Sequence, residues 1–212
     1  MPRRVYDNTG RAEQARLTRR RVLDAARDLL VERGPLAITM RDVAGQAGVS
    51  VETVYKTFGT KAALIKGVYD VTLAGDDDPI PMIDRPEHRA VFAATDPRDK
   101  LARYAFAARR ISERVGPLLA KLLAGARGGD PELSLFRETV NRERLAGATA
   151  ITRHLAETGG LRPGVDHDRA RDLVWTLISP EVYELLVSDR GWSLDEYEQW
   201  LARSLADGLL ER

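Results

Sequence analysis

Ala44, Gly48 and Val54 stand four and then six residues apart between Thr39 and Lys61, and no other feature constrains the fold of this chain as strongly. Two short helices crossing at close range need a small residue on the first, a turn residue free to adopt positive φ, and a branched apolar residue on the second. Ala44, Gly48 and Val54 meet those needs in turn, with the spacing of a helix-turn-helix. The cap chemistry agrees. Thr39, Ser50 and Thr60 each stand where a side-chain oxygen accepts from an orphan amide of a starting helix. Asp42, three residues after Thr39, makes an acidic variant of the capping box. Val54 and Phe58 form an (i, i+4) pair that buries one face of the second helix. Val51, Glu52, Thr53, Tyr55, Lys56 and Thr57 are left for the other faces.

The formal net charge of +1 hides a segregation along the chain. Residues 1–68 carry 13 Lys and Arg against 7 Asp and Glu, whereas residues 69–212 carry 20 against 25. A basic N-terminal module on an acidic body concentrates attraction for polyanions at one end. The 212 residues, 43% of them apolar, suffice for two domains with separate cores. No apolar run approaches the length of a bilayer span, and the N-terminus lacks the apolar stretch of a secretory signal, so a cytoplasmic location is expected. Cysteine is absent, which excludes disulfides and thiolate metal sites. His88, His154 and His167 share no helical spacing, so neither a metal nor a cofactor is expected.

The run Val49-Ser50-x-x-Thr53-Val54-Tyr55-x-x-Phe58-Gly59-x-Lys61, preceded by Thr39 to Ala44 and a helix ending at Gly34, resembles the TetR family of bacterial transcriptional regulators. The likeness covers roughly the first third of the chain. It implies an all-α protein with an N-terminal three-helix, helix-turn-helix DNA-binding domain and a C-terminal helical domain for ligand binding and dimerisation.

Three segments follow. Residues 1–15 are polar, with Arg3, Arg4, Asn8 and Gly10, and read as a flexible basic arm that either touches DNA or stays solvated. Residues 16–62 form the DNA-binding domain, in which Val22, Ala25, Ala26, Leu29 and Leu30 stripe a first helix. The cations Arg19, Arg20 and Arg21 fall near its expected start. Residues 63–212 form the effector and dimerisation domain, entered by a helix from Thr60 to about Ala74. Asp76-Asp77-Asp78-Pro79-Ile80-Pro81 lacks the ligand spacing of a calcium loop and reads as a solvated connector. Helices are expected near 96–115, 117–126, 131–158, 166–188 and 194–210, with Pro180 interrupting the fourth between Leu177 and Tyr183.

On double-stranded DNA, contacts divide into backbone positioning and base reading. The resemblance makes Thr39, Tyr55 and Lys61 the phosphate candidates. The base-edge candidates are Arg41, Ser50, Val51, Glu52, Thr53 and Lys56, with Ser50 weighted down because a cap oxygen is already engaged. Reading a palindromic operator needs two heads roughly 34 to 36 Å apart or a multiple of it, hence a homodimer. Leu173, Leu177, Val182, Leu185, Leu186, Trp200, Leu201 and Leu205 on the last helices are the candidate interface, with closure of the domain's own core as the alternative. Tyr104, Ala108, Phe136, Asn141, Trp175 and Ile178 are candidates to line a small-molecule effector pocket, although aromatics at helical spacing are more often core than pocket. The resulting expectation is a ligand-released repressor. Two alternatives stay open: an architectural DNA-binding protein without a switch, and a helical small-molecule-binding protein or enzyme. No nucleophile–base pair or Gly-rich phosphate loop supports catalysis, so no enzyme is expected.

Overall fold

The computed structural model describes residues 9–211 and divides into two compact units, Met1–Val71 and Thr72–Arg212. Among the described residues the secondary structure is helical throughout, without strands.

The first unit holds α1 (Thr9–Arg33), α2 (Met40–Ala47), α3 (Val51–Phe58) and most of α4 (Lys61–Ala74). Val22, Leu23, Ala26, Leu29, Leu30, Val43, Val54, Leu64, Ile65 and Val68 form its core, each at most 2% exposed. A fully buried aliphatic side chain contributes about 1.5–3 kcal/mol, so this small core is enough to order short helices that would not form alone. Caps set the boundaries. Asp42 N–H donates to the Thr39 hydroxyl at 3.2 Å while Thr39 N–H donates to Asp42 Oδ2 at 2.8 Å, completing both arms of the box. Gly48, at φ 64° and ψ 39°, ends α2, and Val49 N–H closes back on Ala44 O at 3.1 Å. The Ser50 and Thr60 hydroxyls accept from Thr53 N–H at 3.2 Å and from Ala63 N–H at 3.1 Å.

α1 begins seven residues before the expected Arg16, so residues 9–15 of the anticipated arm are helical; Arg3, Arg4 and Asn8 lie outside the described residues. The early turns bury nothing, which is why apolar periodicity missed them. The Arg16 guanidinium pairs with Glu13 one turn back, at 3.0 Å. Arg19, Arg20 and Arg21 consequently lie mid-helix, away from the positive helix end.

The second unit contains the end of α4, a 3₁₀ turn (Met82–Asp84), α5 (Pro86–Ala93), α6 (Pro97–Arg127), α7 (Pro131–Glu157), α8 (His167–Leu177), α9 (Pro180–Tyr183) and α10 (Leu194–Leu209). α9 continues as a π-helical turn, Glu184–Asp189. α6 packs against α5, α7 and α10, and α8 closes on α7 and α10. Leu101, Ala105, Ile151, Leu155, Val174, Tyr197, Leu201, Leu205 and Leu209 make the central core.

Three expectations need correction. Gly116-Pro117 does not divide α6, which runs unbroken through both residues. An interior proline costs about 3 kcal/mol, but Val115, Leu118, Leu119, Leu122 and Leu123 are all buried along the same helix and offset it. α5 was not anticipated, because its eight residues bury only Val91. The triple-aspartate segment is no free connector either. Arg85, only 8% exposed, donates from Nη1 to Asp76 Oδ2 at 2.6 Å and from Nη2 to Asp76 Oδ1 at 2.9 Å. Pro180 does interrupt the helix as expected: α8 stops at Leu177 and Ser179 caps α9, accepting from Val182 N–H at 3.2 Å.

Candidate nucleic-acid interface

Within the first unit α3 turns Val54 fully inward, at 0% exposure, and half-buries Phe58. At 3.6 residues per turn Glu52 and Lys56 then lie opposite Val54, flanked by Tyr55 on one side and Thr53 on the other. Accessibility follows that wheel: Glu52, Tyr55 and Lys56 are exposed, and Val51 and Thr53 are half-buried. Arg41 is exposed on α2. Lys61 is half-buried as the first residue of α4, where the amide dipoles add to its attraction for an anion.

Two candidates are committed elsewhere. The Thr39 hydroxyl donates to Asp42 Oδ2 at 2.6 Å, and its backbone N–H goes to the same oxygen, so the cap occupies both donors that would reach a phosphate. That hydrogen bond also holds the Asp42 carboxyl below its ordinary range. The Ser50 hydroxyl accepts from Thr53 N–H and shares a 3.1 Å hydrogen bond with the Thr53 hydroxyl. Glu52 is likewise lowered, first by its own backbone amide and then by Ser50, so it is a charged acceptor at neutral pH.

Sequence reasoning missed the supports behind α3. The Arg19 guanidinium lies over the Phe58 ring, 4.9 Å from its centroid. A Cβ at Gly67 would come within 3.2 Å of Leu23 and 3.3 Å of Phe58, so the absence of a side chain there lets α1, α3 and α4 close together.

In the second unit the effector candidates divide. Arg144, which the sequence did not single out, donates to Asn141 Oδ1 at 3.3 Å and to Trp175 O at 2.7 Å, with its guanidinium 5.1 Å from the Trp175 ring centroid. Trp175 Nε1 is buried without a hydrogen-bond partner. Tyr104 is 9% exposed and burial raises the pKa of its hydroxyl. Tyr104 belongs to the central core, with Ala108, Trp175 and Ile178 packed against it; Phe136 lies outside that cluster. A small cleft, open to solvent, is lined instead by the end of α4, by α5 and by α6, and includes none of the six.

The interface candidates divide too. Leu201 and Leu205 are 0% exposed within the chain's own core, so neither presents surface to a partner. Leu173, Leu177, Val182, Leu186 and Trp200 are half-buried, and Leu185 is 57% exposed. His154 meets Phe92 O at 3.2 Å, a packing role. No three His, Asp or Glu side chains among the described residues converge as a metal-holding group, and none of the described helices is long and apolar enough to cross a membrane.

A short helix capped by Ser50, crossing α2 over Ala44 and Val54 and turning a polar edge outward, defines a helix-turn-helix protein. Residues 22–68 match the family described as bacterial regulatory proteins, tetR family. The chain is 28% identical over 171 residues to the HTH-type transcriptional regulator YdeS of Bacillus subtilis, covering 81% of this chain and 79% of that one. It is 50% identical over 64 residues to the regulator AlkX of Mycobacterium tuberculosis, covering 30% of each. Its fold is similar to SmeT of Stenotrophomonas maltophilia, solved with triclosan, at a TM-score of 0.70 and 18% identity over 92% of both chains. The helix-turn-helix segment is thus similar to the TetR family of bacterial regulatory proteins, and the relative matched over most of the chain is likewise an HTH-type transcriptional regulator.

Proposed function

We propose that the chain is a cytoplasmic, homodimeric repressor that inserts α3 into the major groove of a palindromic operator and is released by a small molecule. The observation that carries this reading is the outward edge of α3, where Glu52 and Lys56 stand opposite the buried Val54. Lys56 offers donors to guanine, Glu52 an acceptor to cytosine N4–H, and the Thr53 and Val51 methyls apolar contact to thymine. Tyr55 and Lys61 hold phosphates from the flank, and Arg41 approaches from α2. Thr39 and Ser50 shape the helix starts rather than touching DNA.

A twofold contact through Leu177, Val182, Leu185, Leu186 and Trp200 would supply the second head, since isologous pairing matches operator symmetry. The effector reading rests on SmeT having been solved with triclosan and on the polar cluster of Tyr104, Asn141, Arg144 and Trp175. A ligand that favours a conformer with misplaced heads would weaken DNA binding by its differential affinity for the two states.

Selection of bound duplexes from a random pool tests the reading. The expected result is a palindromic consensus bound with a steep salt dependence. A monomer that prefers no duplex over scrambled competitor would overturn it.

A further inference from the structure

The cleft bordered by α4, α5 and α6 gathers Arg85, His88, Arg110 and Arg114 around one opening. Facing carboxylates do not balance them. Asp76 is engaged by both terminal nitrogens of Arg85 and Asp78 also faces that guanidinium, which leaves Glu87 as the one acid among the lining residues to face Arg110 and Arg114. Neither Arg110 nor Arg114 makes a hydrogen bond or ion pair with the described residues. Arg110 is exposed, but Arg114 is half-buried, and a partly buried guanidinium without a partner forfeits hydration and gains nothing in return.

The buried nitrogens point the same way. Arg85 is 92% buried, and with Nη1 and Nη2 taken by Asp76 its Nε has no hydrogen-bond partner. Arg114 Nε and His88 Nδ1 are also buried and unpartnered. Three orphaned nitrogens on residues that line one cleft are costly individually and make sense together as donors to a common oxyanion. Gly75, at φ 88°, lies so close to Arg114 that a Cβ there would stand 3.2 Å from Nη1, so the missing side chain leaves room for the guanidinium.

We propose that this cleft is a binding site for a single oxyanion group, phosphate or carboxylate, held by Arg110, Arg114, Arg85 Nε and His88 Nδ1. Planar guanidinium forks match the oxygen geometry of both groups. The opening to solvent leaves the rest of a larger ligand outside. This site is separate from the Arg144 cluster and requires no operator binding.

The test is thermal unfolding of the full chain at fixed ionic strength, with chloride replaced stepwise by inorganic phosphate in one arm and by acetate in the other. Any anion that binds the folded state selectively raises Tm in a saturable way. The expected result is saturation in at least one arm, with Arg114→Gln and Arg110→Gln each weakening apparent affinity about tenfold. Arg127→Gln, exposed at the end of the same helix, should match the unmodified chain. The better arm identifies the headgroup. Arg110 is exposed, so its variant keeps the test valid even where Arg114→Gln lowers the starting stability. A rise that never saturates, or one equal in all four proteins, would reflect general salt exclusion and overturn the proposal.

Discussion

Arg85 grips Asp76 through both terminal nitrogens, at 2.6 and 2.9 Å, from a side chain nearly sealed from solvent. The Arg85 hydrogen bonds, followed by the Asp78 backbone, lower the Asp76 pKa from 3.8 to about 2. A depressed carboxyl contributes stability above its unfolded pKa and loses it as pH falls through the folded value, here between pH 4 and pH 2. Asp76→Asn should therefore melt less steeply with acidification over that window than the unmodified chain. Asp76 is 42% exposed, so solvent screening limits the difference to about 1 kcal/mol. Calorimetry across that range checks the slope, and identical slopes would remove the pair from the account.

Gly48 ends α2 in the left-handed region with open space around the position of a Cβ, so its substitution tests backbone strain free of steric overlap. Gly48→Ala should cost about 1–2 kcal/mol in urea unfolding. A neutral substitution would mean that the turn adopts another conformation in solution.

Tyr55, Lys56 and Lys61 should separate by kind of effect. Lys61→Ala should weaken every duplex alike and reduce the salt slope by about one, and Tyr55→Phe should likewise spare sequence preference. Lys56→Ala should instead relax preference at one base pair, discriminating less by about 1–3 kcal/mol. Competition binding against single-base operator variants tells them apart; a uniform loss from Lys56→Ala would move that residue to the phosphates.

Leu201 and Leu185 give opposite expectations although both belong to the same candidate interface. Leu201→Ala should destabilise the folded chain by about 2–5 kcal/mol, because the side chain is fully enclosed. Leu185→Asp should leave the helical signal unchanged and convert dimer to monomer in light scattering. A Leu185→Asp dimer of undiminished affinity would exclude that face.

How much of this was legible beforehand depended on the range of the signal. The helix starts at Thr39, Ser50 and Thr60 are readable because a cap is settled within three residues, and each makes its hydrogen bond. The long α6 was not, because the burial that outweighs Pro117 comes from α7 and α10, distant in sequence. α5 and the first turns of α1 carry too few buried residues to generate a period. Leu201 and Leu205 look no different from Leu185 along the chain, and only tertiary packing distinguishes core from surface. Arg144 escaped notice for the complementary reason: a lone arginine on an amphipathic helix has no motif, and its partner Trp175 O lies 31 residues away.

Gly67 bears on how such a regulator can diverge. Its missing methyl sits where Leu23 and Phe58 converge, so the close seating of α3 on α1 and α4 depends on that position. Under the proposed function, exchanges at Glu52, Thr53 or Lys56 would retune which letters are recognised while the mounting stays put. Bulk added at Gly67 would instead press on Leu23 and Phe58 beneath all of those side chains, so novelty in target choice would be cheap on the rim and expensive at the pivot.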